Sequence, residues 1–255
     1  MTDQNFDLFI SFKETDLANI LPKDIIFEIG KRIFGFYKVP RNMNTQTLNK
    51  IGPYIYELIM SPSSKIEALN FKYFYNLNSL DLSYNESNES ITDDGIRDLK
   101  NLTSLNLYNN KIITDYGIRD MINLTSLKLS RNIIITNDGI RDLINLTSLD
   151  LHGNETVTDN GIRDLINLTS LDLRWNENIT NAGIKDLINL TSLDLSENKI
   201  ITDNGIRDKI NLTSLDLRWN ENITNAGIRD MINLTSLSLV YNNKITDDGI
   251  RTMYM

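Results

Sequence analysis

Few side chains in this chain have the types and spacing that catalysis or metal binding requires. His152 is the single histidine and there is no cysteine, which excludes thiol nucleophiles and histidine-rich metal sites. His152 could pair with an aspartate and a serine, but no glycine-flanked nucleophile motif accompanies it. We therefore expect a protein that is not an enzyme and has no catalytic residue, metal site or cofactor.

Four aspartates recur at one constant interval along the chain. They are Asp150, Asp172, Asp194 and Asp216. On adjacent parallel strands they would lie about 4.8 Å apart, where like charges repel by roughly 1 kcal/mol per pair even in water. Two arginines, Arg174 and Arg218, would offset this repulsion most simply. A bound cation or a basic partner would also offset it, and the sequence leaves these alternatives open.

The same interval governs most of the chain and not the aspartates alone. The motif Asn-Leu-Thr-Ser-Leu-x-Leu begins at Asn101, Asn123, Asn145, Asn167, Asn189, Asn211 and Asn233, with a looser copy at Asn76. Successive exact copies are 22 residues apart. Self-similarity at a fixed period of this length is typical of a solenoid, in which each repeat buries its apolar side chains against its neighbours.

The order Leu168-x-x-Leu171-x-Leu173-x-x-Asn176 resembles the leucine-rich repeat. The resemblance covers about residues 66–255 and implies a right-handed α/β solenoid, with a concave parallel β-sheet and short helices on the convex side. It also implies binding of another protein. Full repeats begin at Leu77, Leu102, Leu124, Leu146, Leu168, Leu190, Leu212 and Leu234. Their Ile-Thr-Asp/Asn-x-Gly half is similar to the cysteine-containing leucine-rich repeats, with Asn in place of Cys.

Three positions of the repeat carry structural predictions. The ninth residue, Asn176 in one repeat, should turn inward and satisfy backbone groups where the chain leaves the sheet. The Thr and Asp/Asn of the second half should cap a short helix. Lys209 stands where Leu187 stands one repeat earlier, so we expect Lys209 to bend out to solvent while Ile210 fills the core.

Residues 1–65 precede the repeats and are predicted to form a helical cap. One helix should start after Pro22 and a second should lie around residues 45–60, both with isoleucine and leucine on one face. Ile66-x-x-Leu69-x-Phe71 has the spacing of Leu-x-x-Leu-x-Leu and is predicted to be a truncated capping strand, with Phe74 at the position of the repeat Asn. The solenoid is then expected to span residues 66–255.

Part of the cap suggests a second function. The segment Leu21-Pro22-Lys23-Asp24-Ile25-Ile26-Phe27-Glu28-Ile29 resembles the opening of an F-box. That resemblance implies docking onto a ubiquitin-ligase adaptor, although the later Val-Cys and Lys/Arg-x-Trp portion of the family is not evident. A third alternative is a purely architectural role, for instance as a virion or capsid-associated component. The bias towards Asn and Ile suggests an AT-rich genome, such as that of a large DNA virus or an intracellular parasite.

Charge and composition restrict the partner and the compartment. Residues 1–75 hold nine basic and eight acidic side chains, so the remaining 17 basic and 26 acidic side chains give residues 76–255 a net charge of −9. We expect a basic or polar protein partner and no nucleic acid. The polar start, the lack of a long apolar run and the absence of cysteine predict an intracellular protein without a membrane span, in the host cytoplasm or virion if viral.

The binding site is predicted from the outward residues that differ between repeats. Both tryptophans of the chain fall in one such column, and exposed Trp, Tyr and Arg are enriched in binding hot spots. The predicted partner-binding residues on the concave face are Asp150, His152, Asp172, Arg174, Trp175, Asp194, Glu197, Asp216, Arg218, Trp219 and Tyr241.

The last strand, around residues 236–239, has no later full repeat to cover it. An uncovered edge strand favours pairing with another chain. We expect Ile250, Met253 and Tyr254 to fold back as a partial cap, or two chains to meet end to end through the C-terminal repeat.

Overall fold

The computed structural model describes Tyr37–Lys38, Glu57–Ile59, residues 71–85 and residues 91–252. Within these residues, ten short strands form one parallel sheet whose spatial order is the order of the sequence. The strands are β1 Tyr37–Lys38, β2 Glu57–Ile59, β3 Ser79–Asp81, β4 Ser104–Asn106, β5 Ser126–Lys128, β6 Ser148–Asp150, β7 Ser170–Asp172, β8 Ser192–Asp194, β9 Ser214–Asp216 and β10 Ser236–Ser238.

Short helices alternate with the strands from β3 onward. A 3₁₀ helix at Phe71–Tyr73 comes first. The α-helices are α1 Asp93–Ile96, α2 Asp115–Ile118, α3 Asn137–Ile140, α4 Asp159–Ile162, α5 Asn181–Ile184, α6 Asp203–Ile206, α7 Asn225–Ile228 and α8 Asp247–Thr252. Successive strands pack on one another, as do successive helices, so the repeats stack in two layers. This is the predicted α/β solenoid of leucine-rich-repeat type.

One continuous apolar core lies between the two layers. The middle residue of each three-residue strand, β2 to β10, points into it, and the strands keep these residues in register, as Leu171 of β7 does with Leu193 of β8. The side chains on either side of that residue point the other way, because a strand alternates at period 2. The first and third residues of β2 to β10 therefore form the face of the sheet that is turned away from the core, here called the outer sheet face.

The ninth-position asparagines form a buried hydrogen-bonded ladder, as predicted. Asn176 is fully buried. Its Nδ2 donates to the carbonyl oxygens of Leu151 at 3.3 Å and Asn154 at 3.0 Å, both in the preceding repeat. Its Oδ1 accepts the N–H groups of Asn178 and Ile179. One side chain therefore satisfies backbone groups of two repeats, and Asn132, Asn154, Asn198, Asn220 and Asn242 bond in the same way.

A second ladder joins the helices. The first helical residue accepts hydrogen bonds from the Thr of the next repeat, as when Asp159 Oδ1 and Oδ2 accept from Thr180 N and Oγ1 at 2.7 and 2.6 Å. Where that residue is Asp, the Thr hydroxyl also caps its own helix, as Thr180 does for Ala182 N at 3.2 Å. Where it is Asn, its amide donates to the Thr hydroxyl instead, and Thr158 and Thr202 make no cap bond. The predicted capping is thus present in some repeats only.

Close approach of this ladder explains the invariant glycine of the repeat. A Cβ at Gly139 would lie 2.5 Å from Asp115 Oδ1 of the preceding repeat. Any larger residue would push the carboxylate away from the Thr that it binds.

The prediction for Lys209 was wrong. Lys209 is fully buried, and Ile210 is 54% exposed. The lysine stem occupies the core position of Leu187 in the preceding repeat, and its Nζ donates to the carbonyl oxygen of Lys185 at 2.6 Å. Because the backbone places this position inside every repeat, the side chain stays buried and its charged end finds a carbonyl at the end of α5.

The predicted boundary between cap and solenoid needs correction. Glu57–Ile59 is a strand and not the end of a helix over residues 45–60, and Leu58 pairs in register with Leu80. Phe71 and Phe74 belong to the helical limb, because Leu77 N donates to Phe74 O as Leu102 N does to Leu99 O. The sheet therefore begins before residue 66. Residues 21–29, 66–70 and most of the predicted cap lie outside the described residues.

Candidate functional site

The aspartates of the outer sheet face close the turn that follows each strand. Asp150, Asp172, Asp194 and Asp216 each use Oδ1 to accept the N–H of the residue two positions later, at 2.9–3.0 Å. Asn106 makes the same bond to Tyr108. A local hydrogen bond of this kind stabilises a turn in any repeat, so the regular recurrence of Asp has a structural cause.

Two arginines offset the repulsion within the aspartate row. Arg174 donates to Asp172 with an Nη2–Oδ2 distance of 2.6 Å, and its Nε lies 3.3 Å from Asp194 Oδ2. Arg218 donates to Asp216 with an Nε–Oδ2 distance of 2.8 Å. Hydrogen bonding to these carboxylates raises the pKa of both guanidinium groups above the ordinary value. The two arginines thus offset the repulsion among the aspartates, as predicted from their spacing.

Asp194 lies between Asp172 and Asp216 in this row, one strand from each. Burial raises the pKa of its carboxyl group above the ordinary value, and the charges of Asp172 and Asp216 act in the same direction. Hydrogen bonds from Ser196, including Oγ to Oδ1 at 2.6 Å, act in the opposite direction. Asp194 and Asp172 share the guanidinium group of Arg174.

The residue immediately before each ladder asparagine has a left-handed backbone in every described repeat. We call this set the turn column, and it consists of Tyr84, Asn109, Arg131, Gly153, Trp175, Glu197, Trp219 and Tyr241, with φ between 48° and 58°. Such a backbone costs a residue with a Cβ roughly 1–2 kcal/mol. Glycine or asparagine is the usual solution, so the two tryptophans occupy a position that is unfavourable for their type.

Most of the exposed aromatic side chains among the described residues lie in the turn column. Trp219 and Tyr241 stack with ring centroids 4.0 Å apart and planes inclined by 25°. They are 55% and 63% exposed, and Trp175, two repeats before Trp219, is 59% exposed. Stacking fixes the orientation of the rings while leaving much of their surface in contact with water.

Two predicted site residues have less definite environments. Glu197 is half-buried in the repeat between Trp175 and Trp219. Its backbone N–H donates to Arg218 O at 2.9 Å, whereas its carboxylate makes no ion pair or hydrogen bond with a described residue. His152 is half-buried and donates its backbone N–H to Asp150.

Two further exposed features were not predicted. Tyr84 and Tyr108 form an edge-to-face pair with ring centroids 4.7 Å apart, near the other end of the sheet. A row of isoleucines, each about half exposed or more, follows the buried residue at the end of each helical limb. It consists of Ile122, Ile144, Ile166, Ile188, Ile210 and Ile232. The signal for this row was the constant Ile immediately after an inward position.

The described residues contain no cluster of three or more His, Cys, Asp or Glu side chains arranged to hold a metal ion. Among the helices in that part of the chain, none has both the length and the apolar character needed to cross a membrane.

Comparison with known proteins supports the fold. The model of the family described as Leucine Rich repeat matches residues 142–166, 164–188, 186–208, 209–231 and 230–253. No curated protein matches the sequence.

Solved structures resemble the chain at low sequence identity. An LRR protein of Leptospira interrogans has a TM-score of 0.65 and 24% identity, over 85% of this chain and 62% of its own. TLR13 in complex with ssRNA13 has a TM-score of 0.59 and 26% identity, over 80% of this chain and 31% of its own. Mouse RP105, in a complex with MD-1, has a TM-score of 0.59 and 21% identity, over 86% and 40%. The chain spans less than two thirds of each of these proteins.

Five consecutive matched repeats, a parallel sheet alternating with short helices, and a buried Asn ladder agree with one another. Residues 142–253 match the leucine-rich repeat family, and the described part of the chain has the solenoid fold of leucine-rich repeat proteins.

Proposed function

We propose that this protein is a non-enzymatic scaffold that binds a protein partner through its outer sheet face and turn column. The observation that carries the proposal is the exposed, stacked pair Trp219–Tyr241 in a turn column that also holds Trp175. Large aromatic side chains with ordered rings are the residues that most often dominate binding energy.

A purely structural explanation of the tryptophans is weak. Gly153, Asn109 and Arg131 occupy the same turn with the same backbone conformation, so the fold does not require an aromatic residue there. Trp175 and Trp219 keep the left-handed backbone despite the energy that it costs. A residue that is unfavourable for the fold and exposed to water is a candidate for function.

Structural neighbours include proteins seen in complexes. RP105 is in a complex with MD-1, Rad7 with Elc1, and TLR13 with ssRNA13. For this chain the charge favours a protein, because residues 76–255 carry a net charge of −9 and nucleic-acid binding depends on basic side chains.

The test is capture of a partner by the intact chain from an extract, followed by measurement of Kd for wild type and for Trp175→Ala/Trp219→Ala. We expect the double variant to bind at least about 2 kcal/mol more weakly. Its thermal stability should barely change, since Ala and Trp bear the same left-handed backbone cost. The matched control is Tyr84→Ala/Tyr108→Ala, which removes the other aromatic pair of the outer face.

Full-strength binding by the tryptophan variant would contradict the proposal. The isoleucine row would then become the surface to test, with Ile166→Asn/Ile188→Asn as the variant. Weakening by the tyrosine variant alone would move the site to the first repeats of the sheet.

A second candidate is an F-box-like adaptor, favoured by the sequence from Leu21 to Ile29. In that case the N-terminal segment would recruit a ubiquitin-ligase adaptor while the outer sheet face selects the substrate. The intact chain should retain such an adaptor, and Leu21→Asp/Pro22→Ala should release it without affecting capture of the sheet-face partner. Failure of the wild-type chain to retain any ligase adaptor would remove this candidate. Detection of the protein in purified virus particles would instead support an architectural role.

A contact between two copies is proposed at the end of the sheet. Among the described residues β10 is the last strand in the sheet order, and Leu237 and Leu239 are only partly buried. An open edge of this kind is a template for pairing with another chain. Sedimentation over a range of concentrations should reveal a dimer that Leu239→Lys dissociates, and a monomer at every concentration would exclude it.

A further inference from the structure

We propose that Trp175, Glu197 and Trp219 form a slot for one basic side chain, arginine or lysine, of the protein partner. The inference rests on the proposed function, because it names the chemistry that the turn column would recognise. It concerns a site built from three successive repeats.

The backbone places the three side chains in one line. Their φ angles are 53°, 56° and 56°, and the strands that precede them pair in register without interruption from β7 to β9. Adjacent strands lie about 4.8 Å apart, so the two tryptophan positions are roughly 10 Å apart, with Glu197 between them. A planar or slender group can enter a gap of that width beside a short acidic side chain.

The orientation of Trp219 follows from its stacking. Its ring is nearly parallel to that of Tyr241, one repeat further along, and the centroids are 4.0 Å apart. That spacing is close to the distance between repeats, so the ring planes lie across the solenoid axis. One ring surface of Trp219 is therefore covered by Tyr241, and the opposite surface is directed towards the repeat of Glu197.

The slot contains a half-buried carboxylate that has no counterion among the described residues. Arg174 and Arg218 are bonded to Asp172, Asp194 and Asp216. The carboxylate of Glu197, half-buried in the same part of the outer face, bonds to none of the side chains that the structure describes. A cation beside this carboxylate would gain an ion pair and could lie over the faces of the indole rings, where the ring quadrupole attracts positive charge.

Intrinsic fluorescence offers a direct test, because Trp175 and Trp219 are the only tryptophans of the chain. The intact protein would be titrated at constant ionic strength with acetyl-(Gly-Arg)₃-amide. The control peptide is acetyl-(Gly-citrulline)₃-amide, which keeps the planar group and removes the charge. We expect saturable changes in tryptophan emission with the arginine peptide and affinity at least about fivefold weaker for the citrulline peptide.

Glu197→Gln should reduce affinity for the arginine peptide by at least about fivefold and leave the citrulline peptide unaffected. Glu221→Gln is the matched control, since it removes the same charge two residues after Trp219 at an exposed position. Equal affinity for the two peptides, or equal effects of the two Glu variants, would overturn the proposal.

Capture of the natural partner by the variants distinguishes the basic-side-chain slot from the broader proposal of a sheet-face scaffold. Loss of capture in Trp175→Ala/Trp219→Ala together with weakening in Glu197→Gln supports both. Loss in the tryptophan variant with unchanged capture by Glu197→Gln would preserve the sheet-face scaffold and overturn the basic-side-chain slot.

Discussion

Trp175 and Asn176 are consecutive residues with opposite roles. Asn176 is fully buried and bonds to backbone groups of its own repeat and of the preceding one. Trp175 is 59% exposed, and other repeats place Gly, Arg or Glu at its position. The turn therefore has one side chain that builds the solenoid and one that the solenoid does not need.

The difference separates two kinds of repetition. The ladder asparagine recurs in each of the eight full repeats because every repeat has the same backbone groups to satisfy. The residue before it varies because the turn fixes only its backbone. Constant positions thus report on stacking, and variable exposed positions are where a partner can be distinguished.

Substitution of the ladder residue should have the largest effect on stability. Asn176→Ala removes four hydrogen bonds and leaves buried backbone groups of two repeats unsatisfied, which costs about 1–3 kcal/mol per group. We expect the free energy of unfolding to fall by at least about 3 kcal/mol, measured by urea denaturation followed by circular dichroism. A loss similar to that of Trp175→Ala would break the distinction between the two columns.

Lys209 places a charged side chain at a core position that holds leucine in most other repeats. Burial lowers the pKa of its ammonium group, while Asp208 and Asp186 act in the opposite direction. Lys209→Leu restores the side chain of Leu187, and we expect a gain of about 1–2 kcal/mol in the free energy of unfolding at neutral pH, because no buried charge remains.

This gain should depend on pH. With the folded-state pKa below the unfolded-state value, the unfolded chain binds more protons between the two values, so wild-type stability rises with pH in that window. The advantage of Lys209→Leu should shrink as pH rises from neutral towards 10.5, the ordinary lysine pKa. An advantage that is constant with pH would mean that lysine burial carries no protonation penalty.

The smallest effect is expected in the turn column. Gly153 has a φ of 57°, and a Cβ there would lie 3.5 Å from Arg131 Cγ, an ordinary contact distance. Gly153→Ala should therefore lower the free energy of unfolding by only about 1 kcal/mol, the cost of a left-handed backbone. Trp175→Gly should raise it by a similar amount. Thermal denaturation of both variants measures these changes. A gain in stability for Gly153→Ala, or a loss for Trp175→Gly, would refute the strain assigned to the tryptophans.

The isoleucine row is a second position that stays constant in most repeats, but its side chains are exposed whereas those of the Asn ladder are buried. Ile210 was predicted to lie in the core because Lys209 replaces an inward leucine and lysine side chains usually extend into water. Lys209 is buried instead, because its backbone has the same conformation as that of Leu187. Lys209 N donates to Ile206 O as Leu187 N does to Ile184 O. The turn of the chain decides which residue is inside, and the side chain adapts.

The N-terminal part of the sheet is a second case in which local pattern was not enough. Ile55-x-x-Leu58-x-Met60 has the spacing of the repeat, and Leu58 precedes Leu80 by one full repeat length. The Asn that marks the other repeats is missing from that stretch of sequence, so isoleucine and leucine spacing alone favoured a helix. Pairing of Leu58 with Leu80 resolves this ambiguity, because short apolar runs fit either structure until a neighbouring strand is present.

The repeat, the inward leucines, the buried Asn ladder and the columns of the outer sheet face could be predicted from the sequence, because each follows from a local pattern copied in every repeat. The tertiary structure decided which carboxylates are neutralised, which rings stack and which residue of each pair is buried. Arg174 bridging two strands, the Trp219–Tyr241 stack and the position of Glu197 between two tryptophans all depend on contacts between repeats. Those contacts depend on the distance and orientation between neighbouring repeats, which the sequence of a single repeat does not specify.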